Sequence, residues 1–207
     1  MICHKSKFLY IRTAKCASTS LIKAFKNNSI KLEVAKKFKE HPLSTDPNHI
    51  PIQVFKERMN ADNYNNYYKF SFVRNPFDRL VSAFFFGKKW VKQRAVRKAF
   101  SWKEIESIKG ASFSDWLINL TKNLNGSHIK YSSQYDFTQG CDFIGKVENL
   151  NQDFRTILID LKIKEKIKVR KLNPTKRKQY RKYYNKEDRL LVEKLFKKDL
   201  NYFDYDF

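Results

Sequence analysis

Two short apolar runs rich in strand-forming residues, Phe8 to Arg12 and Tyr67 to Val73, each break into a polar loop and then into helix-spaced apolar residues. Few folds accommodate that arrangement. The first run leads through Thr13-Ala14-Lys15-Cys16-Ala17-Ser18-Thr19-Ser20 to Leu21, Ile22, Ala24 and Phe25, a spacing that suits a helix. The second leads to Asn75-Pro76, an N-cap followed by proline at the first helical position, so a helix is expected from Pro76 towards Trp90. Further on, Ile52 to Met59 fits a short helix, Ser112 or Ser114 can cap one through Trp116 and Leu120, Asp142 to Val147 reads as a strand and Phe154 to Leu161 as a helix. Asn185 is placed to cap an amphipathic helix containing Leu190, Leu191, Val192, Leu195 and Phe196. Strands alternating with helices predict an α/β fold: a mainly parallel sheet flanked by helices on both faces, with ligands at the carboxyl ends of its strands.

With 207 residues and no Gly/Pro-rich or Ser-rich break, one domain spanning residues 1–207 is expected. The formal net charge of +22 attracts polyanions such as nucleotide phosphates, acidic glycans, nucleic acid or an anionic membrane. Charge alone is not a function, and the abundance of Lys, Asn, Phe, Tyr and Ile also fits a compositional bias. The three cysteines, Cys3, Cys16 and Cys141, are odd in number and lack pairing or metal-ligand spacing, which suits a reducing compartment. The apolar part of the N-terminus is too short for a signal peptide and no later run could span a bilayer, so a soluble cytoplasmic protein is expected.

Two segments carry chemistry. The loop from Arg12 to Ser20 lies between strand and helix, where unpaired helix N–H groups and the positive end of the dipole can cradle a phosphate or sulfate, assisted by four hydroxyls and Lys15. It occupies the position of a P-loop without the glycines or the Gly-Lys-Ser/Thr ending, which disfavours a metal-assisted nucleotide triphosphatase. Taken alone, Ser18-Thr19-Ser20 also reads as a simple helix cap. In the second segment, Phe70 to Ser82, Arg74 leaves the strand end where its fork can hold a phosphate bidentately, and Ser82 lies about two turns into the next helix. Taken alone, Arg74 is equally compatible with pairing to Asp78, and Ser82 with close helix packing.

Together, Lys15 to Ser20 resembles the 5′-phosphosulfate loop, and Arg74 to Ser82 the 3′-phosphate element, of sulfotransferases that use 3′-phosphoadenosine 5′-phosphosulfate (PAPS). Cys141 to Leu150 resembles the "DFIG, x, x, EN(L)" segment of the carbohydrate branch that includes heparan sulfate 2-O- and chondroitin or dermatan 4-O-sulfotransferases. Leu172-Asn173, Tyr183-Tyr184, Asp199-Leu200, Phe203 and Tyr205 are similar to that branch's C-terminal pattern. The resemblance implies a P-loop-like nucleotide-binding sulfotransferase fold, PAPS as donor, the bisphosphate PAP (adenosine 3′,5′-bisphosphate) as product, and a hydroxyl acceptor, a glycan or other small molecule. It implies that Lys15, Cys16, Ala17, Ser18, Thr19 and Ser20 hold the 5′-phosphosulfate, that Arg74 and Ser82 hold the 3′-phosphate, and that the stretch with Thr175, Lys176 and Lys178 closes over the nucleotide. The membrane anchor and stem of the Golgi enzymes are left out of the likeness.

Sulfuryl transfer spreads charge between an entering and a leaving oxygen, so positioning and charge stabilisation should dominate, with Lys15 neutralising the leaving phosphate oxygen. A base whose pKa lies near neutral favours histidine. Of the four histidines, His49 best matches the base position that the resemblance implies, with His41 in reserve, and His128 resembles a substrate-side histidine. The competing reading of His49 is a loop histidine bonded to backbone, and Glu148 reads rather as a cap of the helix after Val147 than as a site residue. No metal is expected, since carboxylates and Cys/His ligands do not cluster. Two other classes compete. A basic nucleic-acid-binding module fits the charge and the interleaved aromatics but leaves both loops as coincidences, so no specific nucleic acid partner is expected. A kinase-like phosphoryl transferase lacks its Walker lysine and an acidic pair for magnesium.

Overall fold

The computed structural model describes residues 1–35, 38, 48–91, 108–123, 133–164, 166–170, 172 and 177–207. Contacts divide the chain into two compact units, Met1–Arg74 with Ile129–Asn173, and Asn75–His128 with Pro174–Phe207. The strands are β1 (Ile2–Cys3), β2 (Phe8–Ile11), β3 (Tyr68–Val73) and β4 (Phe143–Lys146). The helices are α1 (Ser18–Asn27), α2 (Ile52–Arg58), α3 (Ala61–Asn66), α4 (Pro76–Val91), α5 (Phe113–Asn123), α6 (Gln134–Thr138), α7 (Leu150–Asp160), α8 (Lys186–Leu195) and α9 (Lys197–Tyr202).

The first unit is built on a sheet of order β1-β2-β3-β4, in which β1 is antiparallel to β2 and the other neighbours are parallel. The expected α/β architecture is therefore present. Both faces of the sheet are covered. On one, Phe8, Tyr10, Phe70 and Phe72 pack with Leu21, Ala24 and Phe25 of α1 and with Phe154, Ile157 and Leu158 of α7. Tyr10 stacks on Phe70 at 4.9 Å, and Phe25 meets Phe154 edge-on at 5.2 Å. On the other face, Leu9 and Ile11 pack with Ile52, Val54 and Phe55 of α2. Each fully buried Phe or Ile contributes about 1.5–3 kcal/mol relative to exposure, so the alternating side chains of β2 hold the sheet from both sides and Phe70 and Phe72 of β3 add to the first face.

The "DFIG" segment is legible as a strand start. The Asp142 carboxylate accepts the Lys69 N–H at 2.6 Å, the Asp142 N–H donates to the Lys69 carbonyl at 2.7 Å, and the Lys69 ammonium lies 3.2 Å from the same carboxylate. Burial, and then the Asp142 charge, push the Cys141 thiol up, so it stays protonated. Gly145 lies against Phe72 of β3: a Cβ there would come within 2.6 Å of the ring.

In the second unit, Asn75 caps α4 by accepting the Phe77 N–H at 3.0 Å, as its Asn-Pro signature predicts. Asn185 and Asp188 form a capping box on α8. Arg177 is paired with Asp78 in the first turn of α4 at 2.5 Å. Tyr184 donates to the Phe77 carbonyl at 2.8 Å and meets the Phe77 ring edge-on, while burial, then Asp188, push its phenol up.

Sequence patterning did not anticipate β1, α3, α6 or α9. All four are short, and β1 owes its assignment to pairing with Leu9 and Phe8 and to the bridge from Ile2 to Glu33. Replacing Gly145 with Ala should cost about 1–3 kcal/mol by forcing Phe72 off its site. Urea unfolding measures it, and an unchanged midpoint would show that β3 and β4 do not approach as closely as described.

Candidate functional site

Register sets the site. The β2–β3 ladder pairs Ile11 with Ser71, so β2 ends while β3 continues to Val73, and the loop after Ile11 runs beside the last residues of β3. Two hydroxyls stitch this junction. Ser71 donates to the Ile11 carbonyl at 2.7 Å, and Thr13, itself buried, donates to the Phe72 carbonyl.

From Thr13 the backbone takes an unusual course. Lys15 has φ 67° and Ala17 φ 58°, both left-handed, where glycine is the usual occupant. Left-handed residues alternating with right-handed ones can turn successive backbone N–H groups towards one concavity, as in an anion-binding nest. Ala17 is also the N-cap of α1, with no side-chain cap bond, and the first turn of α1 holds no acidic residue. Ser18, Thr19 and Ser20 thus lie inside the helix and do not cap it. Thr19 is exposed and Ser18 buried. The Ser20 hydroxyl accepts the Leu172 N–H at 3.0 Å, tying Leu172 to α1.

Arg74, at the end of β3, reaches back to this loop: its guanidinium donates to the Lys15 carbonyl at 3.3 Å. The side chains of Lys15 and Arg74 are half-buried. Tyr10 in β2 is fully buried, and burial pushes its phenol up against the smaller opposing effect of Arg12, so it stays neutral.

One residue at this junction escaped the sequence reading. Gln134, the first residue of α6 and 0% exposed, accepts the Arg74 N–H at 2.9 Å, donates to the Arg74 carbonyl at 2.8 Å and accepts the Cys16 thiol at 3.2 Å. The pattern that could have located its helix is Ser133 followed by Asp136, since the Ser133 hydroxyl caps α6 by accepting the Asp136 N–H at 3.3 Å.

The other sequence candidates fall as follows. His49 is half-buried and follows Asn48, whose side chain accepts an Arg12 N–H at 3.1 Å, so the strand-end arginine of β2 ties its segment to the start of the loop. Ser82 is half-buried in α4, in the second unit. Lys178, also in that unit, is exposed, and its N–H donates to the Tyr183 hydroxyl at 2.9 Å. His41, His128, Thr175 and Lys176 lie outside the described residues. Glu148 is exposed in the 3₁₀ turn Val147–Asn149 before α7. Among the described residues, no group of three or more His, Cys, Asp or Glu could hold a metal ion, and no helix is long and apolar enough to cross a membrane.

The family model described as "Sulfotransferase family" matches residues 1–206. No curated protein and no solved structure matches the chain.

A left-handed alanine costs roughly 1–2 kcal/mol against an ordinary helical one. Ala17→Gly is therefore expected to leave stability unchanged or raise it, by up to about 1 kcal/mol, and Ala17→Val to lower it by more than that. Thermal denaturation of the two variants distinguishes them. Loss of stability in the glycine variant comparable to that at a helix interior would show that residue 17 is not left-handed.

Proposed function

Because the chain belongs to the sulfotransferase family, we propose that it moves a sulfuryl group from PAPS to an acceptor hydroxyl on a carbohydrate. The observation that carries this reading is the left-handed loop at Lys15 and Ala17 opening α1, with the Arg74 guanidinium 3.3 Å from the Lys15 carbonyl. A nest on a helix N-terminus suits the 5′-phosphosulfate, and a half-buried arginine beside it suits the 3′-phosphate that separates PAPS from other adenine nucleotides. The carbohydrate acceptor rests on the resemblance of Cys141 to Leu150 and on the +22 net charge, which suits an acidic glycan.

In this reading the acceptor oxygen attacks sulfur in line, the bond from sulfur to the phosphate oxygen breaks, and PAP leaves with that electron pair. The acceptor proton passes to His49. The Lys15 ammonium offsets negative charge growing on the leaving oxygen, and the loop N–H groups hold that oxygen without rearranging. No oxidation or reduction is involved.

Calorimetry with PAP and AMP tests the donor site. Arg74→Ala is expected to weaken PAP by roughly 1.5–3 kcal/mol, with AMP changed far less. Equal affinity of the parent protein for PAP and AMP would overturn the reading. For the base, His49→Ala should retain PAP affinity and melting temperature while turnover of PAPS with a glycan acceptor pool falls by about 10²–10⁴-fold. A folded variant with near-normal turnover would remove His49 from the role.

A further inference from the structure

We propose that Gln134 is a positioning residue that locks the 5′ and 3′ halves of the nucleotide site into one geometry; this rests on the donor reading above. Its side chain has no exposure and touches three backbone or side-chain groups from two distant segments, Cys16 in the loop and both the N–H and the carbonyl of Arg74. A carboxamide supplies both functions without carrying a charge at any ordinary pH. Its oxygen has two lone pairs, which serve the Arg74 N–H at 2.9 Å and the Cys16 thiol at 3.2 Å, and its nitrogen donates to the Arg74 carbonyl at 2.8 Å. The neighbouring N–H and carbonyl of Arg74 fix which end of the amide faces which.

Its place gives these bonds a consequence for the ligand. The backbone of Arg74 is pinned on one side by Gln134, and the Arg74 guanidinium reaches the Lys15 carbonyl at 3.3 Å, next to the Cys16 that Gln134 also holds. Loop, glutamine and arginine thus close a ring of contacts. Gln134 is itself fixed: its carbonyl accepts the buried Thr138 hydroxyl at 2.8 Å, and Ser133 caps the helix that carries it. An arginine side chain aimed at a phosphate gains affinity only to the extent that its starting point is held, and here the holder is Gln134.

Replacing Gln134 by Glu turns this geometry into a titratable one. Protonated, the carboxylic acid keeps an acceptor for the Arg74 N–H and a donor for the Arg74 carbonyl. Ionised, it has acceptors only, and its charge faces that carbonyl. Burial raises the pKa of the new carboxyl, so the acid form should persist to weakly acidic pH and be lost as the pH rises. Calorimetry of PAP and AMP between pH 5.5 and 8 on the parent, Gln134→Glu, Gln134→Met and Gln134→Glu combined with Arg74→Ala reads this out. At pH 5.5 Gln134→Glu is expected to follow the parent within about 2-fold. By pH 8 it should bind PAP roughly 10-fold or more weakly, matching Gln134→Met, with a smaller loss for AMP, which lacks the 3′-phosphate. In the Arg74→Ala background the pH-dependent loss of PAP affinity should disappear.

A purely structural glutamine would weaken PAP and AMP alike and would act equally with or without the arginine side chain, and either result overturns the proposal. So does a Gln134→Glu protein that tracks the parent at every pH. If Gln134→Met fails to fold, the pH course of Gln134→Glu decides alone. A parent protein that binds no PAP overturns the donor reading, and with it this proposal; a parent that binds PAP while the variants do the same overturns only the role of Gln134.

Discussion

The parallel pairing of β2 with β3 is the constraint from which the rest of the first unit follows. It sets both strand ends at the same edge of the sheet, and because β3 runs on past the Ile11–Ser71 pair, the loop after β2 has strand backbone to lean on. Thr13 and Ser71 use their hydroxyls for that backbone, each bonding a carbonyl of the neighbouring strand. Without this support the left-handed residues at 15 and 17 would have little to hold them, since neither is a glycine. A loop that adopts a costly conformation needs its surroundings to over-determine it.

Much of this was legible from residue types. The strand-forming run at Phe8, the Asn-Pro signature at Asn75 and the Asn185 cap each report local physics, and each element formed where its signal stands. Arg74 as a strand-end cation was equally visible. What escaped depends on partners far along the chain. Ser18 to Ser20 read as a cap by composition, yet Ala17 takes the cap position because the backbone ahead of it is turned by tertiary ties that no local pattern encodes. Gln134 carried no signal as an individual residue, since a glutamine acquires meaning only from what it faces. β1 is two residues long, too short for periodicity to register.

The charge balance deserves a similar distinction. The chain has 43 lysines and arginines against 21 acidic residues. Particular acidic residues serve defined ends, as Asp142 does for Lys69 and Asp78 for Arg177. Among the described residues most of the other cations are exposed and set a long-range field, which speeds encounter with any polyanion without selecting one. Selection falls to the few groups whose geometry is fixed.

The contacts that Gln134 makes span large sequence distances, 60 residues to Arg74 and 118 to Cys16. Contacts of that range form only after the intervening chain has been brought together, and such long loop closures are slow and come late in folding. The loop after β2 can therefore take its final shape no sooner than nearly the whole of its unit has assembled. Partly folded chains would lack this arrangement altogether, and under the donor reading proposed above a bound nucleotide would act as a check on completion, drawing the population towards the finished fold.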